Sequence, residues 1–274
     1  MIGADVFLFF LGLIWVATAT IFDLWKREVP NWLNFSLILF ALAFRYFYSV
    51  FLGDFTYFLF GLMGFAFFFL LAHAFYYGRV FAGGDAKLLM GLGAVLPLFS
   101  DAIMNLKMLL YFVFIFMIAG SLYGLMYSFF LVVSHLRRFS REFASQFVKR
   151  RSFFYISLVF VFFSGIFAFY AQGIAWLLPG ILLLLPFLYV YAKSVEEACL
   201  VNAVSPGKVT EGDWLYEKVR IGNKIILPRW EGLTKRQVDF IQKNAKRRML
   251  IKQGIPFLPA FLIAYIFFFW KFVF

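Results

Sequence analysis

The sequence predicts an all-α polytopic membrane protein of about eight transmembrane helices, with a small cytoplasmic α+β domain before the last helix. Three observations carry this expectation. Of the 274 residues, 64% are apolar and 23% aromatic, with 43 phenylalanines, more apolar surface than a soluble domain of this size can hide. The apolar residues fall into uncharged runs of roughly the 20 residues a helix needs to cross a bilayer. The lysines and arginines gather between alternate runs.

Taken in order, Val6–Phe22 forms the first span. It lacks a basic leader and ends in Phe22-Asp23-Leu24-Trp25 rather than a small-residue cleavage site, so it reads as a retained helix and not a signal peptide. Leu33–Leu52 is the second span, with Arg45 expected to snorkel toward the far interface. Phe55–Tyr77 is the third. Leu88–Ser100 is uncharged but short, with Gly91, Gly93 and Pro97 inside it, and Met108–Ser134 is the fifth. The run Ser152–Ala192 is long enough for two spans, broken near Gln172-Gly173, with Pro179 and Pro186 bending the second. Gly254–Trp270 is the eighth. The domain division expected from this is 1–192 for the membrane domain, 193–253 for a cytoplasmic domain, and 254–274 for the final helix.

Eight spans make the loops alternate between two sides. All of the 26 lysines and arginines except Arg45, Lys107 and Lys271 then fall on one side, which the positive-inside rule assigns to the cytoplasm. Both termini are expected outside. The net charge of +12 therefore marks membrane sidedness, and no nucleic-acid partner is implied. One cysteine, Cys199, excludes a disulfide framework, and Cys199 with His73 and His135 is too sparse a set for a zinc site. His73, inside an apolar run, reads as a packed, hydrogen-bonded residue, and His135 as an interfacial charge. No metal or organic cofactor is implied.

Residues 193–253 form the soluble stretch. Glu217–Ile221 and Lys224–Leu227 flank Gly222-Asn223, a two-residue hairpin turn. Thr234-Lys-Arg-Gln237 has capping-box spacing ahead of a helix with Val238, Ile241, Ala245 and Met249 on its apolar face. The basic residues around that helix fit either a solvated face of a small domain or a helix lying on anionic headgroups.

Acidic residues are scarce, so each can be placed. Asp5, Asp54 and Asp101 fall at outer boundaries, Glu28 and Glu142 among basic residues, and half of the 14 in the soluble stretch. Asp23 ends the first span, and Asp85 lies between the third and fourth, inside Phe81-Ala-Gly-Gly-Asp-Ala-Lys-Leu88. The topology brings both to one membrane depth on the basic side, where an ionisable residue is a functional candidate. Two facing carboxylates suit water activation: they share a proton, the ionised member deprotonates water, and the protonated member polarises a carbonyl. Gly83 and Gly84 permit close backbone approach beside Asp85. Helix capping by Asp85 and pairing of Asp23 with Lys26 or Arg27 is the structural alternative.

Asp23-Leu-Trp-Lys-Arg-Glu-Val-Pro-Asn31 followed by Ala82-Gly-Gly-Asp-Ala-Lys-Leu88 resembles the signature pair of the type IV prepilin and preflagellin (archaellin) peptidases, in their archaeal, peptidase-only form. Ile255-Pro-Phe-Leu-Pro259 resembles the proline-bearing final helix of that family. Position 82 departs from the pattern, carrying alanine where the motif has glycine. The resemblance covers the first hundred residues and the last twenty. It implies a membrane aspartic endopeptidase that removes a short basic leader from pilin- or archaellin-type precursors at the cytoplasmic face. Asp23 and Asp85 are then the catalytic pair, with Gly83, Gly84, Lys87 and Pro256 binding substrate or shaping the site. Lys87 reads equally well as a positive-inside anchor.

Other protease classes lack their marks. There is no His-Glu-x-x-His, and no histidine follows His135 to serve a rhomboid-type serine. Presenilin-like proteases carry both aspartates on late, adjacent spans. From another class, an ion- or proton-coupled transporter using intramembrane acids is the alternative, although no matching second half with a broken helix is apparent.

Overall fold

The computed structural model describes residues 3–97, 99, 101–222 and 224–273. It divides into two compact units, residues 1–126 with 255–274, and residues 127–254. This packing division falls inside a helix, whereas the division expected at 192/193 follows composition alone.

The first unit is built from α1 (Gly3–Lys26), α2 (Asn31–Leu52), α3 (Thr56–Tyr77), α4 (Gly83–Val95), the first part of α5 (Ala102–Ser134), and α10 (Leu258–Val273). Its core joins Leu8, Val16, Leu37, Phe68, Leu92, Phe112, Phe261 and Tyr265. Phenylalanine thus helps fill this core, while Phe47, Phe51 and Phe114 are exposed on its outside.

The second unit holds α6 (Leu136–Lys149), α7 (Arg151–Ala171), a 3₁₀ turn at Gly173–Trp176, α8 (Leu177–Val195) and a π-helical turn at Glu196–Leu200. The break expected near Gln172-Gly173 is present, both residues having positive φ (54° and 57°). Pro179 lies in the first turn of α8, and Pro186 lies inside that helix. After the π turn come β1 (Val201–Val204), β2 (Trp214–Leu215), β3 (Val219–Ile221), β4 (Lys224–Ile226), α9 (Lys235–Asn244) and β5 (Met249–Lys252).

The strands make a three-stranded antiparallel sheet in the order β1-β5-β2 and a separate β3–β4 hairpin. That hairpin matches the expected one, with Asn223 of its turn outside the described residues. Thr234 and Gln237 exchange the two capping-box hydrogen bonds that start α9. The expected continuation of this helix through Met249 is corrected. It ends at Asn244, and Met249 begins β5, where Met249 and Ile251 are buried alternately. A four-residue spacing fitted Met249 to the helical stripe, but pairing with two strands outweighed that local pattern.

Among the described residues, six helices are long and apolar enough to cross a membrane, the last running from Gly173 to Leu200. This makes the chain a multi-pass membrane protein. Two of the eight expected spans are shorter. α4 has 13 residues, about 20 Å at the helical rise and short of a hydrocarbon core about 30 Å thick. α10 has 16 residues and starts at Leu258 rather than Gly254. Leu98 and Ser100, in the expected fourth span, lie outside the described residues.

α4 therefore ends inside the unit, and its last carbonyls need donors. Arg45 supplies them. Instead of snorkelling outward it is fully buried. Its Nε donates to the Ala94 carbonyl (2.7 Å), its Nη2 to those of Val95 (3.0 Å) and Pro97, and its Nη1 to that of Tyr57 (3.2 Å). A cation at a helix C-terminus also complements the macrodipole. The Tyr57 ring lies under the guanidinium, and the Tyr57 hydroxyl donates to Asp5 Oδ1 at 3.1 Å. Asp5, in the first turn of α1, is thus buried. Asp54 and Asp101 do sit exposed near helix starts, accepting from the Thr56 and Met104 backbone N–H groups.

Candidate active site

Asp23 lies in the last turn of α1 and is buried. Its Oδ2 accepts the Leu258 backbone N–H at 2.9 Å. The carboxylate therefore satisfies one of the orphan N–H groups at the start of α10, where a helix dipole favours negative charge. One turn earlier on α1, the Thr20 hydroxyl reaches the Leu258 carbonyl at 3.3 Å as well as that of Val16. Pro259 occupies the first turn of α10, where its missing N–H is not needed. Pro256 is buried just ahead of that helix. Farther along the pair, the Tyr265 hydroxyl donates to the Phe9 carbonyl at 3.0 Å, and the Phe9 ring stacks on Tyr265 and Phe269. α1 and α10 are thus antiparallel, joined at the depth of Asp23.

Asp85 does not lie in a loop between spans, as expected, but in the first turn of α4. Its Oδ2 accepts the Ala82 backbone N–H at 3.2 Å, capping its own helix. The two glycines before it, Gly83 and Gly84, are the first residues of that helix. Asp85 is buried, as Asp23 is. The structural alternative of helix capping is thus present at Asp85, and Asp23 serves the start of α10 instead.

The two sequence motifs interlock. Arg27 turns the chain at positive φ (54°) after α1, and its N–H donates to the Asp23 carbonyl at 2.8 Å. Val29 then packs toward Gly84, where an added Cβ would lie 3.4 Å from the Val29 Cβ. Pro30 caps α2. Asn31 Oδ1 receives the Lys87 ammonium at 2.7 Å, and Lys87 also lies over the Phe35 ring. Gly84 thus faces a neighbouring turn of the same chain. Gly83 has more room, the nearest atom to an added Cβ being in the Tyr76 ring at 3.9 Å. Deeper in, Leu37 lies against Gly91 and Arg45 against Ala94 and Val95. α2 and α4 therefore run parallel, in step from Val29–Gly84 onward.

His73 Nδ1 lies 2.8 Å from the Phe69 carbonyl, with its ring against that of Phe69, as a packed residue. Among the described residues no three His, Cys, Asp or Glu side chains group to hold a metal ion. Two roles escaped sequence reasoning: Thr20 at the start of α10, and the Asp5–Tyr57–Arg45 network. Arg45 inside an apolar run was a visible signal; the others had none.

Residues 10–125 match the family model described as the Type IV leader peptidase family. The chain is also 34% identical over 92 residues to the preflagellin peptidase of Methanocaldococcus jannaschii, a stretch covering 34% of this chain and 39% of that protein. It thus spans well under half the length of this relative. No solved structure matches the chain. Asp23, Asp85 and both interlocked motifs lie inside the stretch that is similar to the Type IV leader peptidase family.

Proposed function

We propose that this chain is a membrane-embedded aspartic endopeptidase that removes the short basic leader from pilin- or archaellin-type precursors at the cytoplasmic face. Asp23 and Asp85 act as its catalytic pair. The observation that carries the reading is that the turn after Asp23 packs on Gly84, next to Asp85, which sets two buried carboxylates, one ending α1 and one starting α4, at one end of the unit.

Two such groups cannot both ionise cheaply, so they titrate as a unit that retains one proton. The ionised carboxylate takes a proton from water as it attacks the scissile carbonyl, and the protonated one donates to the carbonyl oxygen as charge develops there. The interlock of Val29 with Gly84 and of Asn31 with Lys87 holds the two acids in register. Leu258 N–H and Ala82 N–H orient one carboxylate each. A helical precursor hides its carbonyls in the i to i−4 ladder and must unwind before attack, which small residues at the cut favour. The side of Gly83, with space beside it, is where the opened strand lies.

The directions of the helices support eight crossings. α2 and α4 are parallel and α1 and α10 antiparallel, as strict alternation requires, so the short helices continue the alternation. The basic loops then lie in the cytoplasm with the acids, and 193–253 forms a cytoplasmic domain.

The test is purified protein in detergent, given a precursor with a basic leader ahead of an apolar helix. Cleavage should occur at the junction and fall by about 100-fold or more in Asp23→Asn and in Asp85→Asn, with folded protein retained. Near wild-type cleavage by either variant would exclude the pair.

A further inference from the structure

Asn34 is fully buried in α2, and among the described residues neither its side-chain nitrogen nor its oxygen has a hydrogen-bond partner. A buried amide with both ends unmet costs folding free energy that an apolar residue would not. Elsewhere in this unit buried polar groups are met: Arg45 by four carbonyls, Thr20 by two, Ser49 by the Phe58 N–H. Asn34 stands apart from them.

Its position is fixed by register. Asn34, Ala41 and Arg45 lie seven and then four residues apart, on one helical stripe, and all are buried. Arg45 reaches the carbonyls of α4, so this stripe faces α4. One turn before Asn34, Asn31 holds Lys87; one turn after it, Leu37 lies against Gly91. Asn34 is therefore level with the turn of α4 that follows Asp85, about 5 Å deeper along the helix axis. Two hydrogen bonds of about 2.8 Å meeting at one oxygen span that distance. Asn34 has no exposed surface at this depth. The Asp85 bond to Ala82 N–H engages Oδ2 and leaves Oδ1 to face another donor.

We propose that Asn34 is a positioning residue that holds a buried water against Asp85, on the side of the carboxylate away from the precursor. This rests on the two-aspartate reading above. The Asn34 amide donates to the water, which in turn donates to Asp85 and orients that carboxylate. A site of this kind needs two or more polar partners, and these two side chains provide them.

Threonine and valine have nearly the same shape and differ in the hydroxyl, so Asn34→Thr and Asn34→Val separate polarity from packing. Cleavage of the basic-leader precursor is followed with kcat and KM resolved, and thermal unfolding is recorded without precursor. Asn34→Val should unfold no earlier than wild type, lose about 10–100-fold in kcat and keep its KM. Asn34→Thr should recover most of the kcat. Full kcat in Asn34→Val, equal losses in both variants, or a loss confined to KM would each overturn the proposal. So would an Asn34→Val protein that unfolds early and is rescued by threonine, which would make the amide structural. Asp23→Asn and Asp85→Asn are assayed alongside: cleavage by those variants defeats the catalytic pair itself, whereas active Asn34→Val beside inactive aspartate variants defeats the water alone.

Discussion

At the scale of single residues, charge placed inside an apolar unit has to be met by named partners, and Arg45 is the strictest case. Its guanidinium is fully buried and answers the carbonyls of Tyr57, Ala94, Val95 and Pro97. Arg45→Met keeps the bulk but strips the donors from the end of α4, leaving several buried carbonyls unmet at about 1–3 kcal/mol for each. We expect loss of at least about 3 kcal/mol of stability, measured by thermal unfolding in detergent. Arg45→Lys should fall between wild type and Arg45→Met, because one ammonium cannot reproduce the planar fork. Unfolding of both variants at the wild-type temperature would show that the cap is dispensable. In the second unit, the Glu197 carboxylate that accepts the Tyr216 hydroxyl pushes that phenol up to about 12. Raised above its unfolded value, this group contributes stability below about pH 10 that is lost as pH rises toward 12. Tyr216→Phe should accordingly flatten the alkaline limb of the stability profile.

At the scale of elements, glycine decides how α3 meets α4. A Cβ on Gly64 would lie 2.2 Å from the Gly93 carbonyl oxygen, and one on Gly93 would lie 2.4 Å from that of Gly64. These contacts are with backbone, so neither helix can yield by turning a side chain. Gly64→Ala or Gly93→Ala should therefore cost about 1–3 kcal/mol. Either should also slow precursor cleavage, since α4 carries Asp85 at its start. Gly124 in α5 has nothing within 4 Å of an added Cβ, so Gly124→Ala should leave stability unchanged or raise it by up to about 1 kcal/mol. Comparable losses at all three positions would mean that helix propensity, not close approach, governs them. At Gly84 the contact of an added Cβ is Val29 at 3.4 Å. Gly84→Ala should fold and cleave nearly as wild type, while Gly84→Val should press on Val29 and impair cleavage through the turn that follows Asp23.

At the scale of the whole molecule, the proposal of eight crossings makes a sided prediction. Cysteines introduced singly at Ser140, Thr210 and Gly53, in a chain whose one native cysteine, Cys199, is replaced by serine, report the side of each loop. An impermeant thiol reagent applied from outside should label Gly53→Cys and spare the other two until the membrane is opened. Labelling of Ser140→Cys and Thr210→Cys from outside, with Gly53→Cys spared, would put the acids on the outer face and sink cytoplasmic processing. The order of charges argues for the first pattern, because the basic stretches follow alternate spans.

Composition and order alone determined that the chain is a multi-pass membrane protein, where most of its helices run, and that Asp23 and Asp85 are the acids to watch. Apolar runs and scarce charges are local properties that a bilayer reads directly. The break at Gln172-Gly173 and the capping box at Thr234 were visible for the same reason: turn and cap chemistry lies within a few residues of sequence. Only the tertiary structure decided what the short fourth run does. It begins at Gly83, ends inside the first unit, and takes its cap from a side chain 49 residues earlier in the chain. Likewise it turned Met249 from a helical stripe into the middle strand of a sheet, and joined Val29 to Gly84 and Asn31 to Lys87. Such contacts join groups distant in sequence, and no periodicity encodes which carbonyl will lack a donor once the helices have packed.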